Sequence, residues 1–151
     1  MFEPTEKVMQ VLLVEDSPGD VRLTREAFQD VSRAVELHVA TDGIEAMAFL
    51  RREGRHVTAP RPDLILLDLN LPKMDGREVL AHIKASEEFK TIPTVILSTS
   101  TAQMDIALSY QLLANCYLSK PVQLDHFESL VKSINDFWLT KVQLPQSGAI
   151  H

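Results

Sequence analysis

Cysteine is nearly absent from this chain, and with Cys116 alone an internal disulfide is excluded. In a strand-like stretch, a single cysteine reads as a small buried hydrophobe rather than as a redox centre. Long apolar runs are missing too: nothing approaches the roughly 20 residues needed to span a bilayer. The N-terminus, MFEPTEK, lacks the basic-then-apolar pattern of a secretory signal. The expectation is a cytoplasmic protein with no membrane partner. Positive charge is the minority, with 15 Lys and Arg against 21 Asp and Glu and a formal net charge of −6. That balance disfavours DNA or RNA as a ligand. Arg51, Arg52 and Arg55 form the one basic grouping, at a helix end where they complement the dipole. The five histidines (His38, His56, His82, His126, His151) show no i, i+4 pairing and no cysteine partners. A transition-metal site therefore has no support.

What remains is ordinary globular composition: 151 residues, 45% apolar and 24% charged, enough for one domain with a real core. The expected division is a tail over 1–7, a domain over 8–140 and a second tail over 141–151. The chain is organised around residues 63–76, DLILLDLNLPKMDG. Four consecutive apolar residues, Leu64 to Leu67, deliver Asp68 into a loop of turn formers. The absence of alternation predicts a strand buried on both faces, as in a parallel sheet covered by helices. Asp68 then lies at the carboxyl end of its strand, where open α/β sheets bind ligands.

The same pattern recurs along the chain. Residues 8–14 (VMQVLLV) form an apolar strand ending in Glu15 and Asp16, with Ser17 and Pro18 opening a helix striped by Val21, Thr24, Ala27, Phe28 and Val31. Residues 35–39 alternate, as an edge strand would. A helix from about Gly43 turns Ile44, Met47, Ala48 and Leu50 or Arg51 inward and stops at Gly54; 55–62 is a loop. Val79, Leu80 and Ile83 mark the next helix. Residues 93–97 are a strand ending in Ser98, Thr99, Ser100 and Thr101. A helix over about 102–113 precedes a short strand, 116–118, which ends in Ser119, Lys120 and Pro121. The last helix carries Leu124, Phe127, Leu130, Val131, Ile134, Phe137 and Trp138. Five βα units with right-handed crossovers imply an α/β, flavodoxin-like doubly wound sheet of order 2-1-3-4-5 with helices on both faces. That order brings Glu15, Asp16 and Asp68 together.

Three carboxylates in one crevice repel one another, and a hard divalent cation relieves the repulsion. Magnesium suits such a site, needing two carboxylates, a backbone carbonyl and water. Lys120 adds a mobile positive charge and Ser98 a hydroxyl. The set is equipped to hold a phosphoryl group, with Asp68 itself as nucleophile forming an aspartyl phosphate.

These residues resemble those of bacterial response-regulator receiver domains. The acidic pair in VLLVEDS, the aspartate in LILLDLNLPKMDG, the hydroxyl in VILSTS and the lysine-proline pair in YLSKP stand in the expected order between about Val8 and Trp138. The resemblance implies phosphorylation of Asp68 by a histidine kinase. It also implies Asp16 as a direct magnesium ligand, Glu15 as a ligand through water, and the Asn70 carbonyl as a further ligand. Ser98 becomes the switch hydroxyl, Lys120 the phosphate-pairing lysine and Tyr117 the rotating aromatic, with a cis peptide before Pro121. A receiver assists its own phosphorylation and dephosphorylation but is otherwise not an enzyme. The stretches EDSPGDVRLTREAF, LDLNLPKMDGREVL and ANCYLSKPV further resemble stand-alone regulators, without DNA-binding output, that serve phytochrome-type kinases of cyanobacteria. Serine at 98, where threonine is commoner, and threonine at 99, where a small apolar residue is usual, are the departures.

Two rival readings use the same acids. A haloacid-dehalogenase-type phosphatase or phosphotransferase places a second aspartate two residues after the nucleophile, where this chain has Asn70. A pseudo-receiver, binding partners without phosphorylation, leaves the intact acid set and Lys120 unexplained. The C-terminal apolar groups Phe137, Trp138, Leu139, Val142 and Leu144 predict a homodimer. Its expected face is formed by the fourth helix, fifth strand and fifth helix, the alternative being a tail folded back on its own domain.

Overall fold

The computed structural model describes residues 8–29, 34–98 and 116–119. The elements are β1 (Met9–Val14), α1 (Pro18–Gln29), β2 (Val35–Ala40), α2 (Gly43–Arg51), a 3₁₀ turn (Gly54–His56), β3 (Leu64–Leu67), α3 (Gly76–Ala85), β4 (Thr94–Ser98) and β5 (Cys116–Ser119). The five strands form one sheet in the order β2-β1-β3-β4-β5, every neighbouring pair parallel. This is the flavodoxin-like order expected from the strand patterns. Val31, the expected helix over 102–113 and the last helix lie outside the described residues.

Why β3 and the part of β1 from Val11 to Val14 read as unbroken apolar runs is visible in the packing. Leu12, Val14, Ile65, Leu67 and Ile96 point to one face, where Ala46, Met47, Leu50, Val79, Leu80 and Ile83 of α2 and α3 cover them. Val11, Leu13, Leu64, Leu66 and Val95 point to the other, against Ala27 and Phe28 of α1. Successive side chains thus enter different cores, and every position from Val11 to Val14 and from Leu64 to Leu67 must be apolar. β2 pairs only with β1 and is mostly half-buried, as its alternation predicts.

The helix ends are set locally. Asp20 N donates to Ser17 Oγ at 3.3 Å, Glu45 N to Asp42 Oδ1 at 2.7 Å and Arg77 N to Asp75 Oδ2 at 3.0 Å, so each helix begins with a side-chain cap. Two expectations for α2 are corrected. Ile44 does not turn inward but is 52% exposed, because it sits in the first turn on the side away from the sheet. Nor does the helix run to Gly54: Arg52 takes the left-handed conformation (φ 57°), and its N–H and that of Glu53 bond back to Phe49 O and Ala48 O. Gly54, also at positive φ, opens the 3₁₀ turn within a stretch expected to be plain loop.

That turn is fastened to α2 by Glu45, whose carboxylate accepts from Arg55 and, at 2.6 Å, meets His56 Nε2. The hydrogen bond from Arg55 first, then that from His56, holds the Glu45 carboxyl below its ordinary range. A carboxylate with a lowered folded value contributes stability that is present above its unfolded value and is lost as pH falls through the folded one. Glu45→Gln should therefore lower the melting temperature at neutral pH. The deficit relative to the parent should vanish at acid pH, which thermal melts across the pH range would check.

Candidate acidic phosphoacceptor site

β1 and β3 are paired with Val14 opposite Leu67, so they leave the sheet together. Asp68 N still donates to Val14 O at 3.0 Å, and Glu15 N to Ala40 O at 2.9 Å. The residues just past the ladder therefore keep its geometry, and their side chains converge. Glu15, Asp16 and Asp68 each offer a carboxylate oxygen, and the three oxygens lie within 4.8 Å of one another. Glu15 and Asp68 are buried, 2% and 7% exposed, whereas Asp16 faces solvent. The acids expected to meet do meet.

Backbone donors orient two of them. Glu15 Oε2 accepts from Ser17 N at 3.2 Å, and Asp68 Oδ1 accepts from Asn70 N at 3.0 Å. Leu69 O accepts from both Leu71 N (3.2 Å) and Gly76 N (2.9 Å), which closes the loop 69–75 on itself. Gly76 is needed there: a Cβ would collide with Asp68 O and stand 2.6 Å from Leu69 Cα. In the sequence Gly76 is simply the last residue of the stretch 63–76; nothing there marks it as the point where α3 is pressed onto the main chain of Asp68. Nor does the sequence, which marks Ser17 as a helix cap, announce the bond from Ser17 N to Glu15.

Like charge at this spacing costs on the order of 1–3 kcal/mol per pair, with the lower figure suited to the exposed Asp16. The donors are all hard oxygens, two fixed by backbone N–H groups and one open to water, which fits a divalent cation that retains solvent ligands. Asn70 is exposed at the rim of the same crevice. Asp16 also lines a groove of about 320 Å³, together with Pro18, Val21, Arg22, Arg25, Val39 and Thr41. Ser98 ends β4 in register with Ser119 of β5, and Tyr117 pairs with Ile96, so both strands reach the carboxyl edge that carries the acids. Thr99, Lys120, Pro121 and the C-terminal apolar groups lie outside the described residues; Lys120 directly follows the last residue of β5.

The fold is a doubly wound five-stranded sheet with an acid triad, fit to hold a divalent cation, at the ends of β1 and β3. Residues 11–132 match the response regulator receiver domain family, and the chain belongs to that family. It is 50% identical over 135 residues to response regulator Rcp1 of Synechocystis sp. (strain PCC 6803), a match covering 89% of this chain and 92% of Rcp1. The structure of the phosphorylated cyanobacterial phytochrome response regulator RcpA superposes with a TM-score of 0.90 at 49% identity, covering 93% of this chain and all of RcpA. The Mn2+-bound form of Rcp1 gives 0.88 at 48% identity, over 91% and 99% of the two chains. The protein is thus a response regulator. Among its described residues, no helix is long and apolar enough to cross a membrane.

If repulsion among the acids is the dominant local cost, removing one charge should stabilise the cation-free protein. Asp68→Asn, which keeps an acceptor for Asn70 N, is expected to melt higher than the parent by several degrees, at roughly 2–4 °C per kcal/mol for a domain of this size. It should also gain less from added divalent cation. Calorimetric melts with chelator and with Mg2+ would measure both effects.

Proposed function

We propose that this receiver takes a phosphoryl group from the histidine of a phytochrome-type kinase onto Asp68, and that its cation is Mg2+. The observation that carries this reading is the convergence of the Glu15, Asp16 and Asp68 carboxylates within 4.8 Å. The kinase class is suggested by the likeness to RcpA and Rcp1.

An Asp68 oxygen attacks phosphorus, the P–N bond to the kinase histidine breaks, and the imidazole leaves to regain a proton. The product is an acyl phosphate on Asp68. Asp16, Asp68 and the Asn70 carbonyl would ligate the Mg2+ directly and Glu15 through water, and the ion would neutralise charge on the transferring oxygens. Asn70 N, already on Asp68 Oδ1, holds the carboxylate so that its other oxygen faces the incoming phosphorus. Lys120 pairs with the phosphoryl group once it has arrived. Ser98 then bonds to it and Tyr117 turns inward, repacking the segment after β4 between two states. The groove lined by Asp16 offers a largely apolar seat for the kinase beside the acid cluster.

The domain we assign is 8–140, acting in the cytoplasm as a homodimer. Its interface would comprise the helix after β4, β5, the last helix and the extension with Phe137, Trp138, Leu139, Val142 and Leu144. Ser98 and Tyr117, on the neighbouring strands β4 and β5, would couple that interface to phosphorylation. Asn70 stands where the haloacid-dehalogenase enzymes need a second acid, so turnover of free phosphoesters is not expected.

Incubation with a small acyl phosphate and Mg2+ should add one phosphoryl group by intact mass. Asp68→Asn should abolish that gain and Asp16→Ala should slow it more than Glu15→Ala; undiminished labelling of Asp68→Asn would refute the assignment. For the dimer, sedimentation of the full chain should give twice the mass of a protomer, and a chain shortened to Ile134 should sediment as a monomer. Identical monomers in both cases, with and without phosphodonor, would exclude it.

A further inference from the structure

The N-terminus of α2 and the loop after β3 approach each other more closely than ordinary packing requires. Lys73, in that loop, has φ 66°, in the left-handed region that side chains rarely adopt. This bend lays the main chain of Met74 onto Gly43, the first residue of α2. A Cβ at position 43 would collide with the Met74 carbonyl oxygen and stand 2.7 Å from Met74 Cβ and 2.8 Å from its carbonyl carbon. The preceding residue, Asp42, is buried; its Oδ1 caps α2 through Glu45 N, while its Oδ2 lies 3.5 Å from Lys73 Nζ. Two successive residues of the helix start thus bear on two successive residues of the loop.

The other end of that loop is fixed by the bonds of Leu71 N and Gly76 N to Leu69 O. A push at Met74 therefore cannot be absorbed at Leu69 or Gly76, and falls on the residues between them. Asn70 is one of these, and its N–H holds the Asp68 carboxylate. Because the contact at Gly43 is backbone on backbone, no side-chain rotation relieves it. A shift of about 1 Å in a ligand or an orienting group is enough to degrade a site of this kind strongly.

We propose that Asp42 and Gly43 are positioning residues for the phosphoacceptor site. The close approach that glycine alone permits, together with the Asp42–Lys73 ion pair, holds the loop 69–75 so that Asn70 and Asp68 face the cation. Neither residue touches the cation or the phosphoryl group; they act through Met74 and Lys73. The proposal rests on the receiver reading above, and it adds α2 to the elements that determine cation affinity.

The test uses the full chain and Mn2+ as probe, with free Mn2+ followed by electron paramagnetic resonance, so that affinity is read without any phosphoryl transfer. Ile44→Ala, at the exposed neighbouring position, should match the parent. Gly43→Ala should bind Mn2+ at least tenfold more weakly, while still unfolding in one cooperative transition. Asp42→Asn keeps an oxygen for the cap and Lys73→Gly keeps the positive φ, yet each breaks the ion pair. Each should lose about threefold in affinity, and the double variant should lose no more than either alone. A folded Gly43→Ala with the parent's affinity would overturn the proposal. Should Gly43→Ala fail to fold, the ion-pair variants decide: non-additive losses support the coupling, and parental affinity in both overturns it. A parent chain with no Mn2+ affinity would instead overturn the receiver reading itself, a failure visible before any variant is compared.

Discussion

The parallel pairing of β1 with β3, which places Val14 opposite Leu67 and carries on through the bond from Asp68 N to Val14 O, determines where the chemistry of this chain can occur. The two strands run in the same direction, so their carboxyl ends leave the sheet side by side, and the acids that follow them share one crevice. The register is held from both faces. Val11, Leu13, Leu64 and Leu66 fill one core, while Leu12, Val14, Ile65 and Leu67 fill the other. A slip by one residue would exchange the two sets, and each helix layer would meet side chains shaped for its opposite. Tight packing therefore maintains the carboxylate spacing.

The acids make the site locally unfavourable, and the structure offsets this through the backbone. Glu15 and Asp68 are buried, yet each has an oxygen on a main-chain N–H, from Ser17 and Asn70 respectively. Those donors orient the carboxylates, and three carboxylate oxygens within 4.8 Å of one another are a set that a divalent cation complements. Asp16, left at the surface, keeps the site open to water and to an approaching partner.

Ordered loops extend this control. Leu69 O accepts two backbone bonds, Gly76 brings α3 onto the main chain of Asp68, and Gly43 brings α2 onto Met74. Helix ends thus frame the loop from two sides. Arg52, in the left-handed conformation, and the Glu45 contacts with Arg55 and His56 turn the chain sharply after α2 and fasten the turn to the helix that borders the site.

The sequence by itself determined the fold class, the strand order and the identity of the acid cluster. Those depend on patterns a sequence displays: unbroken apolar runs at LILL and VLLV, alternation in VELHV, and acids placed directly after strands. Hydrophobic periodicity registers which faces are buried, and right-handed crossovers do the rest. The inward face of α2 was less legible. Ile44 belongs to the helical stripe by spacing but lies in a first turn that overhangs solvent, and Arg52 ends the helix before the glycine that marked its stop. Periodicity gives direction around a helix axis and not how far the sheet extends beneath it. Only the tertiary structure decided that Gly43 and Gly76 are places of close main-chain approach, and that Asp42, besides capping a helix, faces Lys73. The glycine contacts run through backbone atoms common to every residue type, and the ion pair joins residues far apart in the chain, so nothing in the local composition announces them.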